Sequence, residues 1–277
     1  MKRLLAILLF LPLLAIAQQQ PNQIQQELAK LAWQDGPSKG VVGANATISI
    51  PKGYVFLDGP NTRKFLELNG NPPQDNNYTI APNTLQWFAI FQFAPTGYIK
   101  DDEKIDPDEL LKKLKESDIS NNEERKRLNM PAIYTDGWAS SPHYDIQTKR
   151  LEWGTQLHSA DGMKNVNYTS RILGRTGVMS VILVADPDTL DQDIREFKQT
   201  LSGFTYNPGQ AYTEFKKGDK VAEYGLAALI LGGAAAVATK KGFWAMLVGA
   251  VAAFWKLIVG VVIAGLAGIT RIFKKKS

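Results

Sequence analysis

The sequence predicts an α+β domain, an antiparallel sheet with a few short helices packed on it, followed by a C-terminal apolar helical membrane tail. Three observations predict it. Strand-like runs crowd into residues 133–185 with connections too short for crossover helices, which favours antiparallel pairing. Helical periodicity is confined to short stretches, and the clearest, Leu190, Ile194, Phe197 and Leu201, makes one apolar stripe suited to lie across a sheet. Finally, residues 221–270 contain only Glu223, Tyr224, Lys240, Lys241 and Lys256 as ionisable side chains, and a bilayer span needs roughly 17–25 mostly apolar residues.

In chain order, residues 1–17 have the parts of a secretory signal: Lys2-Arg3, an apolar run from Leu4 to Leu14, and the small-x-small ending Ala15-Ile16-Ala17. Residues 18–208 form the exported globular domain. After a Gln-rich lead-in, Ile24, Leu28 and Leu31 recur at helical spacing, giving a short helix that ends near Gly36-Pro37. Ile48 and Ile50, then Tyr54 to Leu57, alternate as strands. Phe65, Leu66 and Leu68 suit a helix closed by Asn69-Gly70, and Asn71 to Asn77 reads as a loop. Leu85 to Phe93 is strand-like and aromatic. Asp106-Pro107-Asp108-Glu109 supplies an N-cap, a proline at the first helical position and an acidic first turn. A capping box at Ser120 and Glu123 predicts a second short helix toward Leu128. Four strands follow, over 133–138, 144–159, 165–173 and 178–185, and Asp186-Pro187 opens the helix that carries the stripe. Residues 209–220 read as a linker. Residues 221–277 read as a membrane anchor of one or two helices with a basic C-terminus. Small residues recur four apart within it, as at Ala245, Gly249 and Ala253, which suits either helix pairing in lipid or ordinary membrane-helix composition.

The chain has 277 residues, 44% of them hydrophobic, and a formal charge of +5. That charge is segregated. Residues 18–219 carry 22 Lys and Arg against 26 Asp and Glu, so all the excess basicity flanks apolar segments, where it sets topology and meets lipid headgroups. The globular part lacks the basic face that a nucleic-acid partner requires. With no cysteine, and His143 and His158 as the only histidines, no disulfide, thiolate site or structural zinc is expected. No cofactor is expected either.

Chemistry-bearing residues gather in three local patterns. One is Gly137-Trp138, Pro142, Tyr144-Asp145, Leu151 and Trp153-Gly154. The second is Val166-Asn167-Tyr168, Arg171 and Leu173 to Gly177. The third is Pro95-Thr96-Gly97-Tyr98 running into Lys100-Asp101-Asp102. This combination resembles the domain-of-unknown-function 2167 family, predicted membrane-anchored bacterial proteins, over about Trp33 to Thr270. The resemblance implies bacterial origin, an extracytoplasmic domain and a membrane anchor, and it brings no catalytic residue.

From these patterns the candidate binding residues are Trp138, Tyr144, Asp145, Trp153, Asn167, Arg171 and Arg175, with no catalytic and no metal-ligating residue assigned. The tryptophans serve either as core and sheet-face aromatics or as a stacking platform. Arg171 and Arg175, four apart on a strand, would share a face and either clamp a carboxylate or phosphate or pair with Asp145, Asp101 or Asp102. Asp101, Asp102 and Glu103 form a solvated acidic loop or a calcium site. His158 has no triad context. The leading expectation is a non-enzymatic module, tethered to the bacterial inner membrane and facing the periplasm. Its expected partners are the lipid bilayer and an envelope protein or component, or a second copy. The competing one is an envelope carbohydrate or lipid hydrolase or transferase using two carboxylates among Asp101, Asp102, Asp136, Asp145 and Glu152.

Overall fold

The structure, a computed structural model, describes residues 19–232 apart from 70, 72, 128–130, 161 and 163. The predicted signal segment and the apolar stretch from 233 onward lie outside the described residues. Among the described residues, no helix is long and apolar enough to cross a membrane.

The chain runs α1 (Gln19–Ala29), β1 (Gln34–Asp35), β2 (Ser38–Val42), β3 (Ala46–Ile50), β4 (Tyr54–Leu57), α2 (Gly59–Leu68), β5 (Asn77–Pro82) and β6 (Trp87–Ala94). It continues through α3 (Pro107–Arg127), β7 (Ile133–Asp145), β8 (Arg150–Ser159), β9 (Lys164–Leu173), β10 (Val178–Ala185), α4 (Leu190–Leu201), β11 (Phe204–Tyr206) and α5 (Leu226–Ile230). Eight strands pair antiparallel in the order β1-β4-β5-β6-β10-β9-β8-β7, and a three-stranded sheet has the order β11-β3-β2. The α+β class with a large antiparallel sheet is therefore as expected.

Three layers result, because the large sheet buries both faces. On one face the small sheet and α4 enclose a core of Ile48, Ile50, Phe56, Trp87, Phe91, Met179, Val181 and Phe197. On the other, α1 and α2 cover the β4–β6 end through Leu28, Phe65 and Leu66. The same face at the β7–β9 end is covered by α3 and by residues 209–231, through Leu110, Leu151, Trp153, Leu173, Leu226 and Leu229.

Several expectations are revised. Asn77–Pro82, not singled out as a strand, is β5, buried at five of six positions, and Asn76 at φ 61° turns the chain into it. β2 had no strand reading because its glycine-centred sequence lacks an apolar run. The predicted break inside α3 is absent. Asp106 caps its start, accepting from the Asp108 and Glu109 amides at 3.1 and 3.0 Å. Ser120, by contrast, donates its hydroxyl to the Ser117 carbonyl one turn back (3.1 Å) and so behaves as a helix-interior residue.

The largest revision concerns residues 209–220, read as a linker, and residues 221–230, read as the start of the anchor. Both pack on the domain as a strap. Arg175 donates to Asp219 through Nε and Nη2 (2.6 and 2.7 Å). Tyr98 and Val221 form a parallel bridge, in which the Tyr98 amide donates to the Lys220 carbonyl and the Ala222 amide to that of Tyr98, each at 2.8 Å. Gly97 sits at φ +94°, and a Cβ there would lie 2.7 Å from the Lys220 carbonyl oxygen, so only glycine admits the strap this closely. The Ala227 amide donates to Glu103 Oε2 at 2.9 Å. Pro208 and the glycines that suggested a linker serve the tight turns of a packed segment instead.

A groove under α4 as the candidate functional site

The seven sequence-predicted residues do not form one site. Trp138, Tyr144 and Trp153 belong to the core under α3 and the strap. Trp138 donates Nε1–H to the Pro107 carbonyl (3.1 Å), and Tyr144 donates its hydroxyl to Asp101 Oδ2 (2.8 Å). Asn167 shares that face by strand alternation. Arg171 lies there too, opposite Ser180 and Leu151, its guanidinium 5.9 Å from the Trp153 ring. Its Nε is enclosed with no partner among the described residues, and burial pulls its pKa down to about 10. Arg175 stands beyond the end of β9, so the expected shared face with Arg171 is not formed, and its fork is taken by Asp219. Asp145 closes the β7–β8 turn, accepting from the Gln147 amide and the Thr148 hydroxyl at 2.8 Å each. The three patterns are thus a hairpin, a β9–β10 turn and the docking point of the strap.

The five carboxylates of the competing reading are scattered. Asp101 sits under the strap with Tyr144 and Lys149, Asp102 is exposed and Asp145 is in a turn. Asp136 contacts His158 while Glu152 pairs with Lys198. His158 and Glu152 are six positions apart on β8, about 20 Å along a strand, beyond the roughly 5–10 Å that paired carboxyls need. No group of three metal-ligating side chains occurs among the described residues, so Asp101, Asp102 and Glu103 do not assemble as a cation site.

What the fold does build is a groove of about 950 Å³ between the outer strands β7–β9 and the first half of α4. The helix stripe explains it. Phe197 and Leu201 are in the core, whereas Leu190 and Ile194 are only partly buried against it. These two residues line the groove with Val166. Alternation along β9 sends Lys164, Val166 and Tyr168 to this side, and along β8 Gln156 and His158. Register shifts in β7 between Thr135 and Gly137 and between Trp138 and Ser140 accompany the turn of Asp136, Ala139 and Ser140 into the same space. His158 Nδ1 lies 2.6 Å from Asp136 Oδ1 and its ring stacks on Tyr134 at 5.2 Å.

The inner end of the groove is polar and tied down. Tyr168 donates its hydroxyl to Glu152 Oε2 at 3.2 Å. The same oxygen meets Lys198 Nζ at 3.0 Å and His143 Nε2 at 3.5 Å, and Lys198 lies 5.5 Å over the Tyr168 ring. Burial, and then the Glu152 charge, push the Tyr168 phenol well above its ordinary pKa, so it stays protonated and serves as a donor. Glu152 Oε1 and Ser170 Oγ are enclosed with no partner among the described residues. An apolar wall with fixed polar ends is an arrangement for holding a ligand. Lys164, Val166, Ile194 and Lys198 are not among the candidate binding residues read from the sequence, although Val166 and Ile194 stand in the patterns noted there. The available signal was the alternation 164-166-168 facing a helix stripe longer than the core uses.

Fold and groove together define a small two-sheet α+β domain with an open groove on one face of its large sheet. The chain belongs to the family described as protein of unknown function DUF2167, whose profile matches residues 34–265. No curated protein matches it. Among solved structures, the solution structure of cyanobacterial PsbP (CyanoP) from Synechocystis sp. PCC 6803 is similar at 10% identity and a TM-score of 0.35, covering 64% of this chain and 94% of that one. A likeness at that level carries no inference here.

Proposed function

We propose that the protein is a membrane-tethered binding module of the bacterial envelope, with its domain on the extracytoplasmic side of the inner membrane and the groove under α4 receiving an envelope protein or component. The observation that carries this reading is the groove itself: apolar Val166, Leu190 and Ile194, each only partly buried, between Lys164 at one end and the Lys198–Glu152–Tyr168 cluster at the other. Export and tethering are supported by the signal-like residues 1–17 and by the apolar sequence after 232. Binding rather than turnover is supported by the contacts that tie Lys198 and Tyr168 to Glu152, with no two of the five candidate carboxylates facing each other across the groove.

The test is site-specific photo-crosslinking of the full chain in native membranes. A photoreactive residue at position 194 is expected to give an adduct that Val166→Trp abolishes and that a probe at exposed position 119 does not give. Identical products from both positions, or none from 194, would overturn the groove reading. A phosphatase reporter fused after residue 232 is expected to be active, and a cytosolic, inactive fusion would refute export.

A further inference from the structure

We infer that the turn from Phe215 to Val221 is a second contact with an anionic lipid surface, one that presses the strap side of the domain against the membrane. The inference rests on the tethering proposed above. It begins from the absence of slack. Leu226, Leu229 and Ile230 are buried in the domain, and the apolar sequence resumes at 233. A membrane that holds the latter therefore lies within a few residues of the strap, each spanning at most about 3.6 Å.

The strap presents a lipid-like interface at that side. Phe215, Lys216, Lys217, Lys220 and Val221 are all exposed, with Phe215 at 39% and Val221 at 38%. Phe215 cannot fold inward, because the space beneath it is filled: its ring packs on Tyr98 at 4.2 Å and Tyr98 on Tyr212 at 4.4 Å. The turn is also held in shape, the Asp219 amide donating to the Lys216 carbonyl (3.0 Å) and the Lys216 amide to Asp219 Oδ2 (2.7 Å). Asp219 is the one acid between 215 and 221, and its carboxylate is occupied by Arg175. Nearby, Glu214 accepts from the Ala211 amide and Glu103 from that of Ala227. That leaves three lysines beside an exposed aromatic, on a domain that is otherwise net acidic. Aromatic rings settle at the headgroup level, and lysines near an anionic leaflet are attracted to it. Among the described residues, 215–221 sets exposed apolar side chains beside three exposed lysines where the chain leaves the domain, with the exposed Glu223 just beyond.

The chain contains no cysteine, so a single introduced one reports cleanly. Thr213→Cys, and Ile119→Cys as a distant control, would each carry an environment-sensitive fluorophore on the full chain in nanodiscs. Spin-labelled headgroups are expected to quench the 213 probe several-fold more than the 119 probe when phosphatidylglycerol is present. Adding Phe215→Ser, Lys216→Gln and Lys220→Gln should abolish the difference. High salt should diminish it, since the screening length falls to about 3 Å at 1 M. Equal quenching at both positions, with the chain still resistant to alkaline extraction, would overturn lipid docking and leave the tether standing. A chain that does not incorporate into nanodiscs at all would overturn both.

Discussion

Where β7, β8 and β9 form the outer end of the large sheet, the same strands are sealed on one face and open on the other. The sealed face is covered by α3 and by a strap that arrives from residues far along the chain, held by Tyr98, Gly97 and Arg175. The open face is left because α4 spends its C-terminal half on the core and overhangs the strands with its N-terminal half. Alternation sends the side chains of each strand to both faces in turn. Which face becomes a core and which a groove is decided by what the chain lays over it. The difference teaches that stability should reside disproportionately in the strap, and recognition in α4.

The largest effect should come from cutting into the seal. Leu226 is fully buried in the strap, and Leu226→Ala is expected to cost about 2–5 kcal/mol by lost transfer energy plus a cavity. Urea denaturation of the full chain in detergent would measure it. A cost near zero would mean that the strap is an ornament of the fold. Gly97→Ala comes next, at about 1–3 kcal/mol from its left-handed backbone. Because the added methyl meets the Lys220 carbonyl, cleavage by added protease should appear first within 209–231.

This contrast was only half legible in the sequence. The hairpins, α4 and its stripe follow from alternation and from helical spacing, which are local signals. The strap did not follow, because Pro208, Gly209 and Gly218 are shared by linkers and by tight packed turns. Its partners, Tyr98, Glu103 and Arg175, are remote in sequence. The groove was invisible for a related reason. Leu190 and Ile194 look the same as Phe197 and Leu201 in sequence, and only tertiary packing leaves the first pair partly buried and the second in the core. Arg171 and Arg175 misled because a spacing of four implies a shared face only while the strand continues, and β9 ends at Leu173.

Acid should separate the two faces. For Asp101, burial opposes ionisation, but hydrogen bonds from Lys149 and Tyr144 outweigh it and hold the carboxyl below its ordinary range. Arg175 and the Lys216 amide hold Asp219 at about 2. The unfolded chain therefore binds these protons first, so the stability both groups give the strap is present above about pH 4 and is lost as pH falls below it. Asp193, on the buried side of α4 and bonded to Thr189 and Gln86, is raised instead, chiefly by burial. Its contribution is present at low pH and is lost as pH rises through its folded value. Hydrogen exchange between pH 5 and 3 should thus accelerate across 209–231 before it does across 190–201. Simultaneous loosening of both would remove the distinction.

The smallest effect on stability, and the sharpest on recognition, is expected at Ile194. Its side chain is only partly buried, so Ile194→Ala forfeits about 1 kcal/mol or less, at roughly 0.8 kcal/mol for each fully buried methylene. Ile194→Trp adds bulk toward open space rather than into a packed core, so it should avoid the about 1–3 kcal/mol that overpacking costs. Melting curves for both should stay close to the parent, in contrast to Leu226→Ala. Crosslinking from a photoreactive residue at Leu190, the neighbouring position in the groove, should nevertheless fall in both, since one removes the wall and the other fills the space. If Ile194→Trp melts like the strap variants, the groove is a gap in the core that tolerates no ligand, and the two faces are alike after all.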